Sequence, residues 1–175
     1  MTTGRDRPEI LRPQDVTAPW LTRVLAAGGV DAVVKDFSAK NVGTGQIGES
    51  VRFTLAYARA GDDAPPTLVG KFPSPGDQSR ATGVALGNYA REVNFYRFLA
   101  PTALISTPRC YFADIDETTH EFVLMMEDLA PAVQGDQLTG VTLAQARAVI
   151  AEAAKLHASH WGDESLDDLP WVQGS

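Results

Sequence analysis

Gly43-Thr44-Gly45-Gln46-Ile47-Gly48 places glycine at the first, third and sixth positions of a six-residue run. What flanks this run constrains the fold more than any other part of the chain. Glycine lets backbone amides close on an oxyanion with no Cβ in the way. A dinucleotide-binding fold needs a helix directly after such glycines, so that the helix N-terminus receives the pyrophosphate. Here the following residues alternate instead, Val51, Phe53, Leu55 and Tyr57 against Arg52, Thr54 and Ala56. Period-two alternation predicts a strand, and Val33 to Val42 reads as its partner on the other side of the glycines. The unit is strand, glycine turn, strand: either a lid over phosphates or an ordinary hairpin.

The remaining elements follow from caps, breakers and periodicity. Thr17 to Ala27 predicts a helix with Thr17 as N-cap, Pro19 in the first turn, and Trp20, Leu21, Val24 and Leu25 as an apolar stripe before the Gly28-Gly29 stop. Thr67 to Phe72 is a third strand, and Pro75 to Gly83 reads as a polar loop. Val84 to Leu99 predicts one long helix with Tyr89, Val93 and Tyr96 near one face, ended by Ala100-Pro101. Arg109 to Ala113 and Glu121 to Met126 read as two strands, and a linker then runs to Gly140. Thr142 opens a final helix, expected to reach Trp161 and stop at Gly162. Five strands with helices grouped beside them predict an α+β fold on an antiparallel sheet. The expected divisions are an N-terminal helical segment (1–29), a sheet-based lobe (30–129) and the start of a helical region (130–175).

Composition closes off other classes. With 175 residues, 44% hydrophobic and 21% charged, the chain can bury a core. A single cysteine, Cys110, excludes an intrachain disulfide and fits a reducing compartment, so a cytoplasmic location is expected. No run approaches the roughly 18 apolar residues of a membrane span. A net charge of −7 opposes nucleic acid and anionic lipid, so neither partner is expected.

Three further features bear on the glycine turn. Lys71 lies inside the otherwise apolar strand Leu68-Val69-Gly70-Lys71-Phe72, where a charge needs a partner or an edge position facing water. Glu92 lies on the long helix three residues after Tyr89 and four before Tyr96, beside its aromatic face; it pairs with Lys71 or is balanced by Arg91 or Arg97. Met125-Met126-Glu127-Asp128-Leu129 carries the last strand into the linker. Elsewhere, His157 and His160 have a spacing that can hold a metal but lack a placed third ligand. Cys110 reads as a small buried side chain whose pKa Arg109 would lower if it were exposed.

In this order the features resemble the amino-terminal part of the aminoglycoside phosphotransferase and choline-kinase-like family, closest to its ecdysteroid-kinase-like branch. The resemblance is carried by VGTGQIGESVRF (Val42 to Phe53), LVGKF (Leu68 to Phe72), REVNFYRF (Arg91 to Phe98), FVLMMEDLAP (Phe122 to Pro131), Gly135-Asp136-Gln137 and AAKLHASHW (Ala153 to Trp161). It implies a protein-kinase-like amino-terminal lobe followed by the first helix of a helical second lobe. Gly43, Gly45 and Gly48 would cover the phosphates of ATP, Lys71 would contact them and Glu92 would orient Lys71. Glu127 through its carbonyl and Leu129 through its amide would hold adenine. The acceptor would be a small hydroxyl-bearing substrate bound by the missing part of the second lobe.

Phosphoryl transfer of this kind also needs an Asp to take the hydroxyl proton, with an Asn and a second Asp on Mg²⁺. None of His120, His157 and His160 is followed two residues later by Asp, and Asn occurs only at positions 41, 88 and 94. No catalytic residue and no metal ligand is therefore expected in these 175 residues, and Mg²⁺ is expected only with the missing lobe. The expectation is an ATP-binding portion of a longer kinase, inactive by itself. The alternative is a non-catalytic nucleotide-binding or partner-completed module, because the apolar face of the last helix calls for a dimer or partner.

Overall fold

The computed structural model describes residues 7–43, 47–136 and 138–173. Helix α1 (Ala18–Ala27) leads into β1 (Ala32–Asn41), β2 (Gly48–Ala60) and β3 (Thr67–Pro73). Helices α2 (Asp77–Ala85) and α3 (Asn88–Asn94) follow, then β4 (Cys110–Ile115), β5 (Phe122–Glu127) and α4 (Leu143–Ser159). The strands form one antiparallel sheet in the order β1-β2-β3-β5-β4. The expected α+β class and five-stranded antiparallel sheet are present.

The sheet has a core on each face. In β3, Leu68, Gly70 and Phe72 turn one way, joined by Val51 and Phe53 of β2, against Trp20, Leu21, Val24 and Leu25 of α1. All of these apolar side chains are buried, each fully buried large one contributing roughly 1.5–3 kcal/mol. The opposite face holds Phe122, Leu124 and Met126 of β5 against Tyr89 and Val93 of α3. A single layer of strands thus separates α1 from α3.

The segment between β3 and β4 departs from expectation. The expected polar loop over 75–83 is mostly helix α2, which buries only Gly83 and so offers no apolar stripe to read. The expected single helix over 84–99 is broken at Gly87, whose φ of +64° reverses the helical path at a residue without a Cβ. Beyond the break α3 runs into a π-helical turn, Phe95–Leu99, closed by Ala100 N–H donating to the Phe95 carbonyl at 2.8 Å.

Helix α4 begins with the expected Thr142 cap, completed by Gln145 in a reciprocal capping box, and ends at Ser159, two residues before expectation. It has no buried residue, and Leu143, Val149 and Ile150 are exposed. Two hydrogen bonds hold it to the loop before β4, Glu152 accepting from Ser106 N–H at 2.8 Å and Ser159 Oγ from Leu104 N–H at 2.7 Å, and the half-buried Leu156 borders an apolar pocket with Phe95 and Leu99. Among the described residues, no helix is long and apolar enough to cross a membrane.

Candidate functional site: a lysine and glutamate pair beside the glycine turn

Strand periodicity decides where Lys71 points. Its neighbours Gly70 and Phe72 face α1, so the Lys71 side chain emerges on the α3 face, between Ser50 of β2 and Leu124 of β5 in the register. Helix α3 crosses that face and presents Glu92, one turn beyond the buried Tyr89. Lys71 Nζ donates to Glu92 Oε1. The two side chains are 30% and 35% exposed, which lowers the desolvation cost of a charge pair and leaves the ammonium N–H groups accessible.

The pair borders a cleft of about 260 Å³ together with Gly43, Gly48, Ser50 and Asn88. Gly43 has a φ of +76°, and a Cβ on Gly48 would stand 3.2 Å from the Phe72 carbonyl, so both turn glycines sit where a side chain is strained or crowded. Gly45 lies outside the described residues, as does Gln137. The cleft therefore brings together four of the residues singled out from the sequence: Gly43, Gly48, Lys71 and Glu92. Arg91 and Arg97, the other possible partners of Glu92, are engaged elsewhere. Arg91 donates to the carbonyls of Leu86, Trp171 and Gln173, and Arg97 lies 3.5 Å from Asp114.

Glu127 and Leu129 stand apart from this cleft. Glu127 pairs with Leu68 and is three residues beyond Leu124 on β5, roughly 10 Å at about 3.3 Å per residue. Its carboxylate turns outward and accepts from Arg109 N–H at 3.1 Å. Leu129 is 52% exposed; its carbonyl accepts from Ala132 N–H at 2.9 Å, and among the described residues its own amide has no acceptor. The apolar residues Val69 and Met126, paired across β3 and β5, lie between the two groups.

Three contributors were not read from the sequence. Arg52 of β2 grips Asp128 through Nε at 2.6 Å and Nη2 at 3.0 Å, tying the start of the linker to the sheet. Asp128 is nearly buried, and the guanidinium beside it holds its carboxyl below the usual carboxylate range. Gln134 brings the linker back to the cleft, its Oε1 3.8 Å from where a Cβ on Gly43 would lie. Tyr89 donates its hydroxyl to the Ile47 carbonyl on the outgoing leg of the turn and accepts from Ser74 N–H at 3.4 Å. Tyr89 and Glu92 had been linked only as neighbours on one helical face, and no local pattern announces these contacts.

The other candidates carry less. Burial pushes the Cys110 thiol up to about 11, and Arg109 does not counter it. The Arg109 guanidinium lies over the Tyr111 ring at 4.8 Å and donates to the Gly28 carbonyl at 2.6 Å. His160 Nδ1 lies 3.6 Å from Asp163, and among the described residues no group of three potential metal ligands comes together. Another cavity, of about 620 Å³ beside β4, is bordered by Arg7, Arg97 and Arg109. Arg7 and Arg97 share Asp114, Arg109 is occupied as described, and no glycine turn adjoins this cavity. Comparison of the chain with protein families, with curated proteins and with solved structures finds no match.

Proposed function

We propose that this chain is the nucleotide-binding lobe of a kinase-like small-molecule phosphotransferase, akin to the aminoglycoside phosphotransferase and choline-kinase-like family. One observation carries the reading: a lysine on the central strand β3 is held by a glutamate on the helix that crosses the sheet, beside a glycine turn joining β1 to β2. Glu92 neutralises and aims Lys71; the remaining Nζ donors meet the α- and β-phosphate oxygens of ATP, and turn amides supply further donors. Adenine lies toward the linker, with the Glu127 carbonyl and Leu129 amide at its edge.

The residues present suit the nucleotide and not its metal. Mg²⁺ would be held, and the acceptor hydroxyl activated, by an Asp, an Asn and a second Asp in the kinase spacing, which the sequence lacks, so the reading covers nucleotide binding and leaves transfer to groups supplied from elsewhere. The exposed apolar residues of α4, Leu143, Val149 and Ile150, favour a second reading in which the lobe is completed by a partner and binds nucleotide without catalysis.

Lys71→Ala tests the nucleotide assignment. Loss of one charge-assisted contact weakens ATP by about tenfold or more, each 1.4 kcal/mol being a factor of ten. Stability changes little, because Glu92 is already a third exposed. Isothermal titration with ATP reads the first effect and thermal melting the second. Undiminished ATP affinity in a folded Lys71→Ala protein would overturn the assignment.

A further inference from the structure

Helix α3 holds more of the cleft than the partner of Lys71. Tyr89, one helical turn before Glu92, is 3% exposed and reaches the glycine turn from below. Its hydroxyl donates to the carbonyl of Ile47, which directly precedes Gly48, and the same oxygen accepts from Ser74 N–H just after β3. Its ring is fixed by packing. The ring centroid lies 4.8 Å from that of Phe122, and Gly83 packs so close that a Cβ there would come within 2.5 Å of the Tyr89 ring. The hydroxyl is therefore held at the end of a rigid, packed lever and cannot follow the turn if the turn moves away.

We propose that Tyr89 is a positioning residue that fixes the outgoing leg of the glycine turn relative to Lys71. This rests on the nucleotide reading above. Glu92 and Tyr89 leave the same short helix for two different parts of one cleft, so the placement of α3 sets both the ammonium and the turn. An outgoing leg free to shift would carry the Gly48 backbone away from Lys71 while leaving the linker residues unchanged. The contribution of Tyr89 accordingly falls on the phosphates and not on the base.

Tyr89→Phe removes the hydroxyl and keeps the ring, its stacking on Phe122 and its fit to Gly83. Two measurements on the full chain separate the latch from the nucleotide reading. The first is amide hydrogen exchange, without ligand, in the peptide from Ile47 to Ser50; the second compares ATP with adenosine affinity. The expected result is faster exchange, ATP binding weakened about tenfold, and adenosine affinity unchanged. Unchanged exchange would overturn the latch. Faster exchange with ATP and adenosine weakened equally, or neither weakened, would overturn its role at the phosphates. If Lys71→Ala loses ATP while Tyr89→Phe binds it normally, the phosphate role of Tyr89 alone falls; if wild-type protein binds no ATP, the nucleotide reading falls and takes that phosphate role with it.

Discussion

A methyl group has no room at Gly70. A Cβ there would stand 2.8 Å from Met125 Sδ, 2.8 Å from Phe72 Cε2 and 3.0 Å from Phe53 Cε2, inside the α1-side core. The methionine can shift, but two rings packed edge to face at 6.4 Å cannot both do so cheaply. Gly70→Ala is expected to cost about 1–3 kcal/mol, read as a lower denaturant midpoint at unchanged slope. An unchanged midpoint would mean that the rings move aside. The neighbouring Lys71 shows what a sequence can disclose at this scale. A charge inside an apolar strand asks for a partner and helix period sets Glu92 beside Tyr89, which makes the pair one of several the sequence allows; the fold selects it over Arg91 and Arg97. Arg52 and Asp128 show the opposite case. They lie 76 residues apart, and each has an ordinary exposed setting in the local pattern, so only the folded chain reveals that they meet.

Helix α1 is the element most completely foreshadowed, because its cap, stripe and stop are all local signals. Thr17 Oγ1 accepts from Trp20 N–H at 3.3 Å, and the four stripe residues are fully buried. Thr17→Ala is expected to lower stability by roughly 1 kcal/mol, within about 0.5–2, as a fall in the same midpoint. No change would place the weight of α1 on its packing alone. That packing includes a contact that periodicity does not show: Thr22 Oγ1 accepts from the Val34 amide at 2.9 Å, fastening the helix to β1. Helices α2 and α3 were harder to read for the reverse reason. The first lacks an apolar stripe, and the second is short and changes to π-helical hydrogen bonding at Phe95, so neither keeps one period long enough to mark its bounds.

At the scale of the molecule, titratable groups bound the pH range of stability on two sides. The Arg52 hydrogen bonds lower the carboxyl of Asp128 below its unfolded value of about 3.9, so its stabilisation is present above about pH 4 and lost as pH falls through the folded value. Burial raises Cys110 to about 11 and Tyr96 to about 12, against unfolded values of about 8.5 and 10. Their contribution is whole below about pH 8.5 and lost as pH rises through the folded values. The thermal midpoint of the core, followed by near-ultraviolet circular dichroism, should therefore be level from about pH 5 to 8 and fall on both sides. A midpoint still level at pH 11 would show that Cys110 is not held in an apolar setting. The attachment of α4 has a different consequence, which concerns cooperativity. A helix without a buried residue, joined through Glu152 and Ser159 to the loop before β4, shares little of the free energy that holds the two cores. Its 17 residues add to the far-ultraviolet signal while the buried Trp20 reports on the sheet. The two signals then follow separate transitions, and a two-state fit to either describes one part of the chain.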